Sequence, residues 1–410
     1  MPNAVTNVPE LMFEEFVEAY DAGCVLSMEA TKTSPEAVAL QRAGDTFYVR
    51  QNYHTSVVTG LDISASGDTD VIERFVPTTF RSPDNVRFTL DAKEMRDPVH
   101  MREMGKSAGL RLAAEIDKNL QAEVGLRANM VIKKVGAFTW DDAATADALM
   151  ISRGINSERK LFLNPFDHLA VAKDLGNRAY LGDMSKSAYE RSMIPDIAGF
   201  QSFRMDQQYN LATAGTVTGL TISGATSHTV TAMTGATPTD NRQMTVTVAG
   251  ANLANTKNGD TFTLANSGTP INAVHMMDKS DTGQAMTFRI ISGGGTSTLV
   301  ISPPIISSGP YQNVTAAAAN GATLTFQNNA TKPINPFFSK GAVCLDYGRL
   351  EFPSDQGPKV MTANTKNGVP LVMMYGFNHL TGKTTVRATT FYAATVRDPE
   401  KVGFIIANQT

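Results

Sequence analysis

Few residues of this 410-residue chain are spaced for chemistry. The nearest approach to a nucleotide-binding motif is Gly376-Phe377-Asn378-His379-Leu380-Thr381-Gly382-Lys383-Thr384. A phosphate-binding loop places four residues between its glycines, so that successive N–H groups converge on the phosphates, and then enters a helix. Here five residues separate Gly376 from Gly382, and Thr385-Val386 continue a strand pattern. The segment therefore reads as a turn between strands. The six histidines, at 54, 100, 168, 228, 275 and 379, have no i,i+4 pairing and no cysteine nearby, so zinc-ligand spacing is absent. Asp167-His168 follows Asn164-Pro165, where it falls in the first turn of a helix, and no Gly-x-Ser-x-Gly elbow supplies a nucleophile. Glu14-Glu15 and Asp141-Asp142 are adjacent rather than facing, as expected of acids at helix N-termini. No catalytic, cofactor-binding or metal-binding residue is assigned, no cofactor is expected, and the chain is not expected to be an enzyme.

What remains is a framework, and composition bounds it. The length exceeds the ~250 to 300 residues at which one core stops growing, so two or three substructures are expected. Charged residues make up 18% and nearly cancel to a net −3, which gives no indication of strong electrostatic steering toward nucleic acid. No apolar run approaches the ~18 residues of a membrane span, and the first turns carry acids where a secretory signal would carry basic and apolar runs. A soluble protein made in the cytoplasm and without a membrane partner is the expectation. Cys24 and Cys344 lie far apart in sequence and are expected as buried thiols rather than a disulfide.

Asp97-Pro98 is an N-cap followed by proline at the first helical position, where its missing N–H costs nothing. Met101, Met104, Ala108, Leu112, Ile116, Leu120 and Val124 then recur in steps of three and four, predicting one long helix to about Gly125 with Gly105 and Gly109 as blemishes in it. Upstream, Thr46 to Val49, Ser56 to Val58, Val71 to Val76 and Val86 to Leu90 read as strand pieces of an extended hairpin with too few apolar residues for a core of its own. Its edges need partners on the parent domain or a neighbouring subunit. A separate amphipathic arm opens at Pro9, with Phe13, Phe16, Val17 and Tyr20 on one face and Glu10, Glu14, Glu15 and Glu18 on the other. Glu14 and Glu18 of the arm and Glu73 and Arg74 of the loop are the candidate assembly contacts.

After the long helix, Asp141 and Asp142 can cap a helix ending near Gly154, and Lys160 to Leu163 read as a strand. Residues 211 to 330 then hold 45 Thr, Ser and Gly but only eight charged side chains. Within them Met244 to Val248, Thr261 to Leu264 and Thr296 to Ile301 alternate between turn residues, which predicts a small β-barrel or sandwich rather than a disordered linker. Further strands at Ala342 to Leu345, Val369 to Tyr375 and Thr384 to Thr395 complete the domain interrupted near residue 205, so the β-rich segment is an insertion. The fold class is α+β.

The succession Phe162-Leu163-Asn164-Pro165 with Asp167, Asp174-Leu175, Asn177-Arg178, Ala188-Tyr189 and Ile197-Ala198-Gly199-Phe200, with the ending Arg397-Asp398-Pro399-Glu400-Lys401-Val402-Gly403, resembles the coat proteins of short-tailed lambdoid phages. Asp398 is an extra residue relative to that family's Arg-Pro-Glu ending. The resemblance implies a Hong Kong-type capsid fold with an inserted β-barrel. It also implies a division into an N-terminal arm (1–45), an extended loop (46–92), a peripheral domain with the long helix as its spine (93–140), an axial domain (141–205 and 336–410) and the inserted barrel (206–335). The implied function is a major capsid protein that assembles as pentamers and hexamers into an icosahedral shell in the host bacterial cytoplasm. Its implied partners are copies of itself, a scaffolding protein, a portal protein and packaged double-stranded DNA held without sequence-specific contacts, with room for a decoration protein.

Two other classes compete. A carbohydrate-binding or adhesive surface protein would explain the β-rich insert, but residues 211 to 330 hold only Phe262, Phe288, Tyr311 and Phe326 as aromatics, each in or beside an apolar strand pattern. A nucleotide-dependent enzyme would rest on Lys383 alone. Neither accounts for the long helix and the extended loop.

Overall fold

The computed structural model describes all residues except 1–7, 34–42, 56, 63, 65–70, 92, 178–195, 213, 215–216, 233–238, 349, 351–356 and 367. Arg178, Ala188 and Tyr189 of the family-like succession lie outside the described residues. The chain divides into two units, one of 1–47, 78–121 and 344–395, the other of 48–77, 122–343 and 396–410.

In the first unit the arm helix, Val8–Gly23, buries Met12, Phe16 and Tyr20. The spine helix, Pro98–Arg127, runs 30 residues, about 45 Å at ~1.5 Å each, and its stretch to Gln121 belongs here. A four-stranded antiparallel sheet is ordered Lys359–Asn364, Pro370–Asn378, Lys383–Thr390, Asp84–Leu90. The near phosphate loop is the turn of its central hairpin, and Lys383 pairs with Asp91 at 3.5 Å.

Three expectations change in this unit. Val86 to Leu90, assigned to the extended loop, instead lies in this sheet, opposite residues 384 to 388. Its alternating burial matches a strand with one face on a core, which a free loop does not offer. Thr384 to Thr395, read as one strand, is two: Lys383–Thr390, and Tyr392–Val396, which pairs with Val343–Tyr347 in another sheet. Phe391 marks the break, its ring stacked on Phe80 at 4.8 Å. As a result 344–395 clusters with the arm and spine rather than with 141–205.

The second unit holds a sheet ordered Met130–Val135, Val402–Gln409, Lys332–Ser339, Arg159–Leu163, Gln201–Arg204. The helices Trp140–Ser152 and Pro165–Asn177 contribute to its core with Met150, Val171 and Leu175. The cap of the first helix is Thr139, whose N–H donates to Asp142 at 2.8 Å, so Asp142 acts from the third helical position rather than as the cap. Asn164 caps the second, accepting from the N–H of Asp167 at 2.9 Å.

Inside 206–335, six strands close a barrel in the order Thr261–Asn266, Thr287–Ser292, Thr298–Ser302, Met244–Ala249, Thr221–Ile222, Thr323–Phe326 and back to the first. Met244–Ala249 alternates buried and exposed at every step, and Phe262, Phe288, Ile290, Leu299 and Ile301 fill the interior. Closure removes the unpaired edges an open sheet would leave.

The extended loop is different. Thr46–Arg50 and Phe75–Thr79 pair with each other, while Val57 and Val58, expected in a strand, belong to none. Too few apolar residues lie between to stabilise a longer ladder.

Candidate functional site

Among the described residues no three His, Cys, Asp or Glu side chains converge as metal ligands. The surfaces with something to do are those that present unpaired charge or apolar area.

In the first unit, helix crosses helix at glycines. A Cβ on Gly105 would collide with the carbonyl oxygen of Met12, and one on Gly109 would lie 2.5 Å from that of Phe16. The i,i+4 spacing puts both on one face, so the arm backbone can approach the spine closely. Asp117 of the spine accepts the backbone N–H groups of Val25, Leu26 and Ser27 at 2.8, 3.1 and 2.9 Å, tying the end of the arm down. Burial raises its carboxyl above the ordinary value, against the pull of those donors. Glu14 and Glu18 stand on the opposite, exposed face without an ion pair or hydrogen bond among the described residues. Glu15 beside them reaches Arg102 at 3.8 Å.

In the second unit, the root of the extended loop is fastened by a knot of polar and aromatic side chains. The Arg74 guanidinium stacks over the Tyr311 ring 4.1 Å from its centre, and the Tyr311 hydroxyl donates to the Ile72 carbonyl at 2.7 Å. His54 meets the same ring edge-on at 5.4 Å. Gln51, buried, donates to the Arg397 carbonyl at 2.6 Å, and its own N–H donates to the carbonyl of Arg74 at 2.9 Å. Burial, then Arg74, Lys279 and Lys401, push the His54 ring down to about 4, against Asp398. Beside it Arg242, 4% exposed, holds Asp240 with two hydrogen bonds of 2.9 Å and donates to the Val396 carbonyl at 2.6 Å. Glu73 accepts from the Tyr53 hydroxyl at 2.6 Å and lies 3.7 Å from Arg50.

Beyond this root the described loop residues include exposed apolar side chains: Val57 is 92% exposed, Leu61 fully, and Val71 60%. Scattered exposed apolar residues need no explanation, but several on one segment without a core mark an interaction surface.

The four candidate residues thus fall into two pairs in separate units: Glu14 and Glu18 exposed on the arm, Glu73 and Arg74 engaged at the loop root. Sequence reasoning missed Tyr311, Gln51 and Arg242, whose partners lie far off in sequence, and took Gly105 and Gly109 as blemishes. The i,i+4 glycine pair was the one usable signal. On the barrel, Phe262 and Phe288 are fully buried, Tyr311 is nearly so, and the half-buried Phe326 packs on Phe262 at 5.7 Å, so none of the four forms an exposed aromatic cluster.

A family model described as P22 coat protein, gene protein 5, matches residues 1–407. Among solved structures, the chain is similar to the capsid of the cyanophage P-SCSP1u, at 11% identity over 94% of this chain and 89% of that one, with a TM-score of 0.46. It is also similar to the mature capsid of bacteriophage PhiM1, at 10% identity over 94% and 88% of the two chains, with a TM-score of 0.45.

Proposed function

Because the chain belongs to the P22 coat protein family, whose model it matches from residue 1 to 407, we propose that it closes a phage shell through two surfaces, the acidic face of the arm and the apolar tip of the extended loop. The chain is a structural capsid protein, not an enzyme, a component of the virion that self-assembles into a shell. Its fold is α+β, with the inserted barrel.

The observation that carries the proposal is the division of labour within the loop. Its root is bolted by Arg74, Tyr311 and Gln51, while Val57 and Leu61 beyond it stand exposed. A rigid root with an apolar tip suits reaching onto a neighbouring copy, where burial recovers ~25 cal/mol per Å² of apolar surface. Glu73 and Arg74 contribute by holding the loop at the angle that contact needs. Glu14 and Glu18 suit a basic partner segment, and a scaffolding protein is the partner we assign to them. Pentamers and hexamers, a portal at one vertex, assembly in the host cytoplasm, and DNA packaged without sequence-specific contacts complete the reading, with a decoration protein as a further partner outside. The near-neutral charge supports it, since a strongly basic lining would hold DNA by counterion release.

Scaffold-driven assembly of Glu14→Lys/Glu18→Lys and of Glu73→Lys/Arg74→Glu, followed by electron microscopy, tests these assignments. Folded protein that no longer makes closed shells of uniform size is the expected result. Normal shells from both double variants would remove these residues from the assembly surface.

A further inference from the structure

A groove in the second unit is lined by a buried arginine that has no side-chain hydrogen bond or ion pair among the described residues. It has a volume of ≈ 380 Å³ and is walled by the helix Trp140–Ser152, the strand Met130–Val135 and the hairpin strand Asp281–Ala285 of the inserted domain. That volume lies at the lower end of ordinary ligand sites, about 300 to 1,000 Å³. Val131, Ile132, Ala148 and Leu149 supply apolar lining, and Arg153 lies among them, 4% exposed.

Arg153 and Arg289 are both buried with an Nε that lacks a partner among the described residues, but of the two only Arg153 lacks any side-chain hydrogen bond there. Arg242 is held by Asp240, and Arg289 donates to the Thr261 hydroxyl at 2.5 Å and lies 4.9 Å from the Phe404 ring centre. The Arg153 guanidinium makes no hydrogen bond and no ion pair among the described residues, and its Nε is buried without a partner. Burial pulls it down to about 10, with Glu400 the charge that opposes this. An unpaired buried charge is among the costliest arrangements a fold can keep, so a site that keeps one is built for a counter-charge. The groove's hydroxyls do not supply one: Thr145, Ser152, Thr282 and Thr287 are neutral and donate to the carbonyls of Asp141, Leu149, Ala273 and Asn129, and none accepts from Arg153 among the described residues. The exposed Gln284 amide is a second donor without a partner among the described residues.

Beside the groove, Asp281–Ala285 pairs with Asn272–Val274 alone, which leaves its other edge unpaired among the described residues. An exposed edge accepts a strand from another chain.

We propose that this groove is a carboxylate-binding site filled, in the assembled shell, by an acidic side chain of a second copy of this chain. The reading rests on the shell function above, in which the neighbours of each subunit are copies of itself. The incoming segment lies along Asp281–Ala285, its aliphatic stem against Ala148 and Leu149 and its carboxylate on Arg153 and Gln284. A guanidinium binds a carboxylate through two parallel N–H groups, a geometry that a lysine cannot reproduce.

The test uses full-length protein in scaffold-driven assembly, with sodium glutarate as the probe and sodium chloride at matched ionic strength as the control. Two variants accompany the native chain: Arg153→Gln, and Ala148→Tyr, which fills the groove from an exposed position and leaves Arg153 in place. Glutarate should raise the protein concentration needed for shells by about tenfold, the scale of one charge-assisted contact, where chloride does not. Both variants should need a similarly raised concentration and no longer respond to glutarate. Shells forming normally from both variants, or inhibition of all three proteins alike, overturns the site. Inhibition by inorganic phosphate but not by glutarate also overturns it, in favour of a free-anion site. If the native chain without glutarate makes no shells, it is the shell function that fails, and that outcome is separate from the others.

Discussion

The inserted barrel and the extended loop are both β-structure, and they solve opposite problems. Barrel strands pair on both sides and turn Phe262, Phe288 and Ile301 into a sealed interior. Among the described residues, loop strands Thr46–Arg50 and Phe75–Thr79 pair only with each other, and Val57 and Leu61 between them are exposed. The barrel completes itself; the loop is completed by something else. Stability should therefore concentrate in the first and assembly in the second, and each substitution below tests that partition.

The largest loss of stability is expected inside the barrel. Phe288→Ala removes a fully buried ring that stacks on Phe262 at 5.8 Å and should cost about 3–5 kcal/mol, read as a lower urea midpoint for the barrel transition. A cost under about 1 kcal/mol would mean the barrel interior is not the cohesive element its closure implies.

Next comes the arm on the spine. Gly109→Ala places a methyl 2.5 Å from the Phe16 carbonyl and 2.9 Å from the Tyr20 nitrogen, and backbone cannot swing aside as a side chain can. Overpacking of this kind costs about 1–3 kcal/mol, although alanine is the better helix former by about 1 kcal/mol. Thermal melts that rise rather than fall would show the helices able to separate freely.

The same contrast explains what could be read from the residues alone. Barrel strands were legible because alternation such as Met244-Thr245-Val246-Thr247-Val248 reports a core made within the same stretch of chain. The spine was legible from its Asp97-Pro98 start and apolar stripe. Asp84–Leu90 was misplaced because its partner, Lys383–Thr390, lies some three hundred residues away, and strand pattern says nothing of who the partner is. The loop root was invisible for the same reason: Arg74 and Tyr311 are an ordinary arginine and an ordinary aromatic until the fold stacks one on the other. Glu14 and Glu18 were legible as an exposed acidic face because an amphipathic helix states its own polarity.

A smaller effect is expected at the loop root. Tyr311→Phe keeps the ring under Arg74 and deletes the hydrogen bond to Ile72, for about 1 kcal/mol. Faster hydrogen exchange in residues 48–77, with the barrel unchanged, would place that loss in the loop. Acid should loosen the same knot. The His54 ring is held at about 4, below its ordinary 6.5, so the folded state favours the neutral form. Its contribution is then fully present above pH ~6.5, fades as the pH falls because the unfolded chain takes up the proton first, and is gone below about 4. His54→Gln, which cannot titrate, should flatten that part of the stability profile. An unchanged slope between pH 6.5 and 4 would assign the titration to another group.

The smallest effect on folding belongs to the loop tip. Leu61→Asp changes a side chain that touches almost nothing within its own subunit, so the urea midpoint should move by no more than about 0.5 kcal/mol equivalent. If the tip is buried on a neighbour, the same change places a carboxylate in an apolar contact, and desolvating it costs several kcal/mol per interface. That penalty recurs at every copy in a shell, so assembly should fail while the subunit melts normally. A variant that loses both stability and assembly would show the tip packing on its own chain, and one that keeps both would leave the exposed valines and leucine without a role in the shell.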